Sequence, residues 1–359
     1  MRFQNVLLAL ALAVAASAAR GAEYSFVQLP SPLGGDPYNI ADLNNQGNVL
    51  CTGGYSPYAR SVEWNGTANV LLPSQSGYGM TTACRLNDSN CVVGSVDSSV
   101  SHVAAKWVQG GLQLLDLGPL ASSQSTAAAI NNAGSIAGTS LVSGGSDHLF
   151  TISPTGAVQD RGALPDTYYG VHDINSAGQI AIMNDLTLMN ACVWQNGTLT
   201  SLPDINGGVY SAAYAINDSG LVVGASWPHQ QDARAATWLG GEISLLSVPN
   251  GTTESWASDV NNSGQIVGYY SATGISTHAC MWDADGTFHD LSVEVLALPQ
   301  GTAYASRIND LGQIAVRSGI DGPTYLLSPV PEPSTLGLLG IAAVSLLGCS
   351  WRQRRHRSK

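Results

Sequence analysis

Basic residues are nearly absent from the body of this chain. Between Glu23 and Val330 there are seven (Arg60, Arg85, Lys106, Arg161, Arg234, Arg307 and Arg317) against 24 acidic residues, a net charge of −17. That balance excludes a nucleic-acid partner, which is gripped chiefly by cationic side chains on phosphates. It favours solubility and cationic partners instead. Charged residues of either sign make up only 11% of the sequence, well below the roughly one quarter of an ordinary soluble protein. Helical periodicity is missing too: no long amphipathic pattern runs through the middle of the chain. Disorder is excluded by the 44% of hydrophobic residues. Also absent are H-E-x-x-H, G-x-S-x-G, a phosphate-binding P-loop and paired C-x-x-C. His102, His148, His172, His229, His278 and His289 are scattered without ligand spacing. They read as structural or surface histidines, so no catalytic residue, metal or cofactor is expected.

What the sequence has in quantity is glycine, 40 residues in 359, and a phrase that recurs. "INDSGLVVG", starting at Ile216, has counterparts in "LNNQGNVLC", "LNDSNCVVG", "INNAGSIAG", "INSAGQIAI", "VNNSGQIVG" and "INDLGQIAV". The opening asparagines are Asn44, Asn87, Asn131, Asn175, Asn217, Asn261 and Asn309, at intervals of 43, 44, 44, 42, 44 and 48 residues. A fixed period of this size denotes a repeat architecture. Three positions after each Asn stands Gly, except in the second copy, where Asn90 replaces it. Asn tolerates left-handed backbone best after Gly. The phrase is therefore a hairpin loop closed by a left-handed residue. Apolar residues follow on both faces of the next strand, as in Val222 and Val223 or Ile266 and Val267, which implies burial on both faces. On the preceding strand the alternation breaks about four positions before Asn, the mark of a bulge.

Each repeat continues with an aromatic about twenty residues on: Trp64, Trp107, Phe150, Trp194, Trp238, Trp282 and, less regularly, Tyr325. A turn and a strand ending in Leu-Pro or a variant follow, as at Leu72-Pro73 and Leu202-Pro203. Four strands in about 44 residues make a propeller blade. The N-terminal "YSFVQLP" is a Leu-Pro strand with no aromatic strand before it, and "TYLLSP", from Thr324, is an aromatic strand with no Leu-Pro strand after it. Joined, these orphans complete a seventh blade. The fold expected is an all-β, seven-bladed β-propeller over residues 23–329, its ring closed by the N-terminal strand in the last blade. An open β-solenoid is the alternative.

The two ends are of a different kind. Residues 1–22 have Arg2, an apolar run from Val6 to Ala16 and small residues thereafter, the pattern of a secretory signal peptide cleaved after residue 18 to 22. Residues 330–359 hold Pro331-Glu332-Pro333, an apolar segment 336–351 and the basic residues Arg352, Arg354, Arg355 and Arg357. The segment reads as a short transmembrane helix, and the arginines as a stop held on the cytoplasmic side. This ending resembles the PEP-CTERM sorting signal of Gram-negative bacteria. The resemblance implies an exosortase-type processing enzyme as partner, transient residence of 336–351 in the inner membrane, and a body at the cell surface or released outside it, in bacteria that make exopolysaccharide. The repeat phrase in turn resembles the HAF-type repeats of secreted bacterial proteins, which implies an extracellular location and no particular activity.

Chemistry has few candidates. Two positions before the repeat Asn stand Asp42, Arg85, Ala129, Asp173, Ala215, Asp259 and Arg307. In a propeller these lie at equivalent depths around the ring. Asp42, Asp173 and Asp259 are then a candidate ligand site at a ring mouth, for a cation or sugar hydroxyls, unless Arg85 and Arg307 pair with them. "WDADGTFHD", from Trp282, has the look of a calcium loop in Asp283 and Asp285 but lacks the later ligands, and reads as a plain hairpin. Six N-x-S/T sequons are turn chemistry. Of the five body cysteines, Cys84 and Cys91 flank one hairpin and are the pair to expect if any is bridged. The function expected is a non-enzymatic surface or matrix protein, in association with exopolysaccharide; a glycan-binding or glycan-cleaving propeller is the alternative.

Overall fold

The repeats fold into seven four-stranded antiparallel sheets, six of them with strands adjacent in chain order. The structure is a computed structural model that describes residues 24–31, 38–53, 60–98, 100–164, 169–184, 190–205, 210–228, 232–273, 276–295, 298, 301–319 and 322–330. The expected signal peptide, the P-E-P motif, the apolar segment 336–351 and the terminal arginines lie outside the described residues. Among those residues no helix is long and apolar enough to cross a membrane.

The first blade consists of β2 (Tyr38–Leu43), β3 (Val49–Gly53), β4 (Arg60–Trp64) and β5 (Asn69–Leu71). Five more follow on the same plan. The seventh is made of β26 (Ala303–Ile308), β27 (Ile314–Ser318) and β28 (Thr324–Pro329), with β1 (Tyr24–Gln28) as its outer strand. The two orphan strands of the sequence thus meet, and the ring is closed. Phe26–Ser328 forms one compact unit. Within it the Leu29 N–H donates to the Thr324 carbonyl at 2.9 Å. Leu29 is buried with Ile40, Leu43, Val49, Ala315 and Leu326, residues of the first and seventh blades.

The core lies between successive sheets, because the second strand of each blade is apolar on both faces. Val222–Trp227 is buried at every position. The expected bulge is present in all seven blades, always between the residues four and two positions before Asn: Ile40/Asp42, Ala83/Arg85, Ala127/Ala129, Val171/Asp173, Ala213/Ala215, Ala257/Asp259 and Ala305/Arg307. The aromatic and Leu-Pro signatures are two halves of one contact. Trp107 Nε1 donates to the Pro73 carbonyl of the preceding blade, and Trp238 Nε1 to that of Pro203, both at 2.8 Å. A fully buried indole keeps its one donor satisfied in this way.

The cysteine expectation is corrected. Cys84 and Cys91 are not bridged, and all five described cysteines are free. Leu86 pairs with Val92 and Arg85 with Val93, while Cys84 is the bulged residue beyond them. Two to three residues of offset amount to roughly 8 Å along the strand, outside disulfide reach. Burial pushes the Cys84 thiol up to about 11 and that of Cys51 to about 12, so neither is a ready nucleophile.

Candidate functional site

The repeated turn is built around its asparagine. Asn217 Oδ1 accepts the N–H groups of Ser219 and Leu221, at 3.1 and 3.0 Å, and Gly220 closes the loop at φ +81°. In the second copy Asn90 takes the left-handed position, at φ +56°, as its identity suggested. Its Oδ1 also accepts from Asn44 and Asn48 of the first blade, at 2.7 and 3.0 Å.

The other half of the asparagine amide faces the next blade. Asn44 Nδ2 donates to the Asn87 carbonyl, Asn87 to Asn131, Asn131 to Asn175, Asn175 to Asn217, Asn217 to Asn261, Asn261 to Asn309, and Asn309 back to Asn44, at 2.8–3.2 Å. These seven bonds form a closed, buried circle. A second circle, incomplete at Asn132, runs through the following residues: the N–H of Asn45, Asp88, Ser176, Asp218, Asn262 and Asp310 each meets the side-chain oxygen of its successor, at 2.7–2.9 Å. This second circle went unread in the sequence, although its signal, an Asn, Asp or Ser after every repeat Asn, was there.

Asp42, Asp173 and Asp259, with Asp88, Asp218 and Asp310, line a cavity of about 160 Å³ at the turn end of the ring. Each of the first three carboxylates accepts a backbone N–H from the next blade: Asp42 from Leu86 at 2.7 Å, Asp173 from Ile216 and Asp259 from Ile308, both at 2.9 Å. These donors belong to the strand that the bulge has distorted. Arg307 Nε stands 3.8 Å from Asp42 Oδ1. Burial raises the pKa of Asp42 and lifts that of Asp259 to about 7, with Asp173 and Asp42 adding to the rise at Asp259 and Arg307 opposing it. Among the described residues no three His, Cys, Asp or Glu side chains are grouped to hold a metal. The Asp283 loop is a hairpin turn: the Gly286 N–H donates to the Asp283 carbonyl at 2.8 Å, and Asp283 Oδ2 pairs with His289 Nε2 at 2.9 Å.

Deeper in the ring, on the far side of the bulge, lies a second cavity of about 290 Å³, lined by Arg85, Arg307, His172, Tyr214, Trp256 and Tyr269 with Ile40, Ser258 and Ser306. Sequence reasoning missed its aromatic wall. His172, Tyr214 and Ser258 occupy the bulged position three before Asn, and Trp256 stands two further back. Trp256 stacks on Tyr269, with centroids 6.1 Å apart and planes 17° apart, and Tyr269 meets Tyr304 edge-on at 4.9 Å. Arg85 Nη1 donates to the carbonyls of Ala41 and Cys84, and Arg307 donates to those of Ala41 and Ser306. Burial, then Arg85 and Arg307, push His172 down to about 4, so it is neutral at pH 7.

Residues 329–355 match the PEP-CTERM protein-sorting motif. The PEP-CTERM motif implies export and sorting by exosortase-type machinery. No curated protein matches the chain. Among solved structures it is similar to virginiamycin B lyase from Staphylococcus aureus, with 12% identity, 86% of this chain and 100% of that one covered, and a TM-score of 0.55. It is also similar to the β-propeller domain of the trilobed protease from Pyrococcus furiosus, at 8% identity, 82% and 94% coverage and a TM-score of 0.54. That domain has an open velcro topology, whereas here β1 joins the last sheet. TolB from Acinetobacter baumannii matches at 12% identity and a TM-score of 0.44, over 72% of this chain, which spans 64% of TolB. At such identities the likeness is one of fold.

Proposed function

We propose that this is a non-enzymatic binding protein of the bacterial surface or matrix, delivered by a signal peptide at residues 1–22, processed at its PEP-CTERM tail and associated with exopolysaccharide. The observation that carries the reading is the sorting motif over 329–355. The likeness of the repeat phrase to HAF-type extracellular repeats supports the same location. The non-enzymatic part rests on the central carboxylates. Six described carboxylates, Asp42, Asp88, Asp173, Asp218, Asp259 and Asp310, line the cavity at the turn end, and each accepts a backbone N–H from a neighbouring blade. A glycosidase needs instead two carboxyl groups free to exchange protons and facing a substrate bond. A lyase of the same fold shows that a propeller can host catalysis, but the fold does not carry the activity with it.

The test is to fractionate cells that express the full chain, or a variant with Pro331, Glu332 and Pro333 all changed to Ala. The native chain is expected in the surface or medium fraction, shortened at its C-terminus. The variant is expected full-length in the inner membrane. Equal mass and equal location for both would sink the sorting reading. Release of reducing ends from exopolysaccharide by the purified protein would sink its non-enzymatic part.

A further inference from the structure

The cavity beyond the bulge has a composition of its own. Its lining holds two guanidinium groups, aromatic rings and two serines, and no carboxylate. The three carboxylates that balance the arginines face the other cavity. Both guanidinium groups are held by backbone carbonyls, Arg85 through Nη1 and Arg307 through Nε and Nη1. Burial opposes charge on Arg85, yet Asp42, Asp173 and Asp259 outweigh it and hold its pKa above the ordinary value. Arg307 is held below its ordinary value, first by burial and then by Arg85. Two like charges thus press on one another at the cavity wall, and an anion placed between them relieves that repulsion.

The wall beside them is flat and apolar. Trp256 and Tyr269 present stacked rings, continued by Tyr214 on one side and Tyr304 on the other. Aromatic faces of this kind take the C–H face of a ring-shaped ligand, while Ser258 and Ser306 offer hydroxyls at the same mouth. The volume of about 290 Å³ lies at the lower end of the ~300–1,000 Å³ of small-molecule sites, room for one or two sugar units and not for a long stretch of chain.

We infer that this mouth binds a carboxylated sugar unit of an acidic polysaccharide, its carboxylate on Arg85 and Arg307 and its ring on Trp256 and Tyr269. The inference rests on the surface-binding reading above and names the chemistry of its ligand. It also explains how an acidic body can hold an acidic polymer: the contact is made at a mouth lined by cations and screened from the surface charge.

The experiment is calorimetric titration of the full-length protein, purified in detergent, with oligomers of galacturonate, glucuronate and mannuronate, and with the methyl ester of each. The ester keeps the ring and removes the charge. Binding of at least one acid is expected, at least tenfold weaker for its ester and weaker again at high salt. Trp256→Ala is expected to lower affinity at least tenfold. Because Trp256 also packs on Trp227, at 4.9 Å between centroids, Ser258→Asp provides a second variant. It removes no packing, places a like charge at the mouth, and is expected to abolish acid binding with an unchanged thermal melt. No binding of any uronate, equal binding of acid and ester, or binding untouched by Ser258→Asp would each overturn the inference. Retention of a neutral glycan that survives Ser258→Asp would overturn it too, while leaving the surface-binding reading in place, since that reading fails on the fractionation and not on this titration.

Discussion

Asn309 donates its side-chain amide to the backbone carbonyl of Asn44 at 2.8 Å, across 265 positions of sequence. Six identical bonds between successive blades precede it, and this one returns the circle to its start. The recurrence of the turn follows from that geometry. One side chain caps its own loop through Oδ1 and grips its neighbour through Nδ2, so every blade must supply the same residue at the same place.

Removing one link tests this. Asn261 donates to Asn309 at 3.0 Å and accepts from the Gln265 N–H at 2.9 Å, and it is buried. Asn261→Ala is expected to destabilise by about 2–4 kcal/mol, since each buried partner left unpaired costs about 1–3 kcal/mol. Asn261→Asp keeps the acceptor but sets a carboxylate against a carbonyl oxygen. It is expected to cost at least as much at pH 7 and to recover when the carboxyl is protonated. Urea unfolding at the two pH values reads both effects, and an unshifted midpoint for the alanine variant would count against the circle as a source of stability.

Two glycines separate steric from conformational demand. A Cβ on Gly224 would stand 1.8 Å from the Ala212 carbonyl oxygen, whereas Gly134 has open space around it and φ +87°. Gly224→Ala is expected to cost more than about 3 kcal/mol or to prevent folding, as overpacking against backbone does. Gly134→Ala is expected to cost only about 1–2 kcal/mol, the strain of left-handed backbone. Thermal melts of the two variants should fall in that order.

Protonation at the centre of the ring pulls stability in two directions. Asp259 has its folded pKa raised to about 7 from 3.8. The folded state therefore holds a proton that the unfolded state has released, and stability falls as pH rises from about 4 to 7. His172 has its folded pKa lowered to about 4 from 6.5, so its contribution rises with pH over about 4 to 6.5. Each slope is at most about 1.4 kcal/mol per pH unit, and in the native protein they oppose each other. His172→Gln is expected to expose the falling limb, and Asp259→Asn the rising one. Denaturant midpoints measured between pH 4 and 7 that keep the native profile in both variants would refute the assignment.

Ring closure is tested at Leu29. Leu29→Ala is expected to cost about 2–4 kcal/mol, in the range for truncating a buried leucine. Deleting residues 24–30 leaves β28 as an open edge, and such edges pair with other chains. Light scattering behind size exclusion should then find dimers or larger species in place of the native form.

The sequence disclosed the fold through features that every blade must repeat: the Asn turn, the doubly apolar strand, the bulge and the Trp to Leu-Pro contact. Even Asn90 was readable, because backbone conformation restricts residue choice. What it concealed lies where blades differ. Asp42, Asp173 and Asp259 were legible as a group because they share one repeat position, but their bonds to Leu86, Ile216 and Ile308 depend on how adjacent blades are set. The aromatic wall was illegible because it draws on three positions, the bulged residue at Tyr214, an earlier one at Trp256 and the second strand at Tyr269, which only the assembled ring makes neighbours. The Cys84–Cys91 expectation failed for a related reason: nearness in a hairpin loop does not place two residues on facing rungs.

The seventh blade is the one whose strands are not consecutive in the chain. Its outer strand β1 is synthesised first and meets a partner synthesised last. Loop-closure entropy and contact order both put such a pairing late in folding. Until Thr324 and its neighbours arrive, β1 and β27 are unpaired edges, however well the other six blades have formed. Completion of the ring therefore reads out the length of chain delivered. A product that stops before β28 leaves β1 and β27 without their partner, and only a chain that includes this last strand completes the seventh sheet.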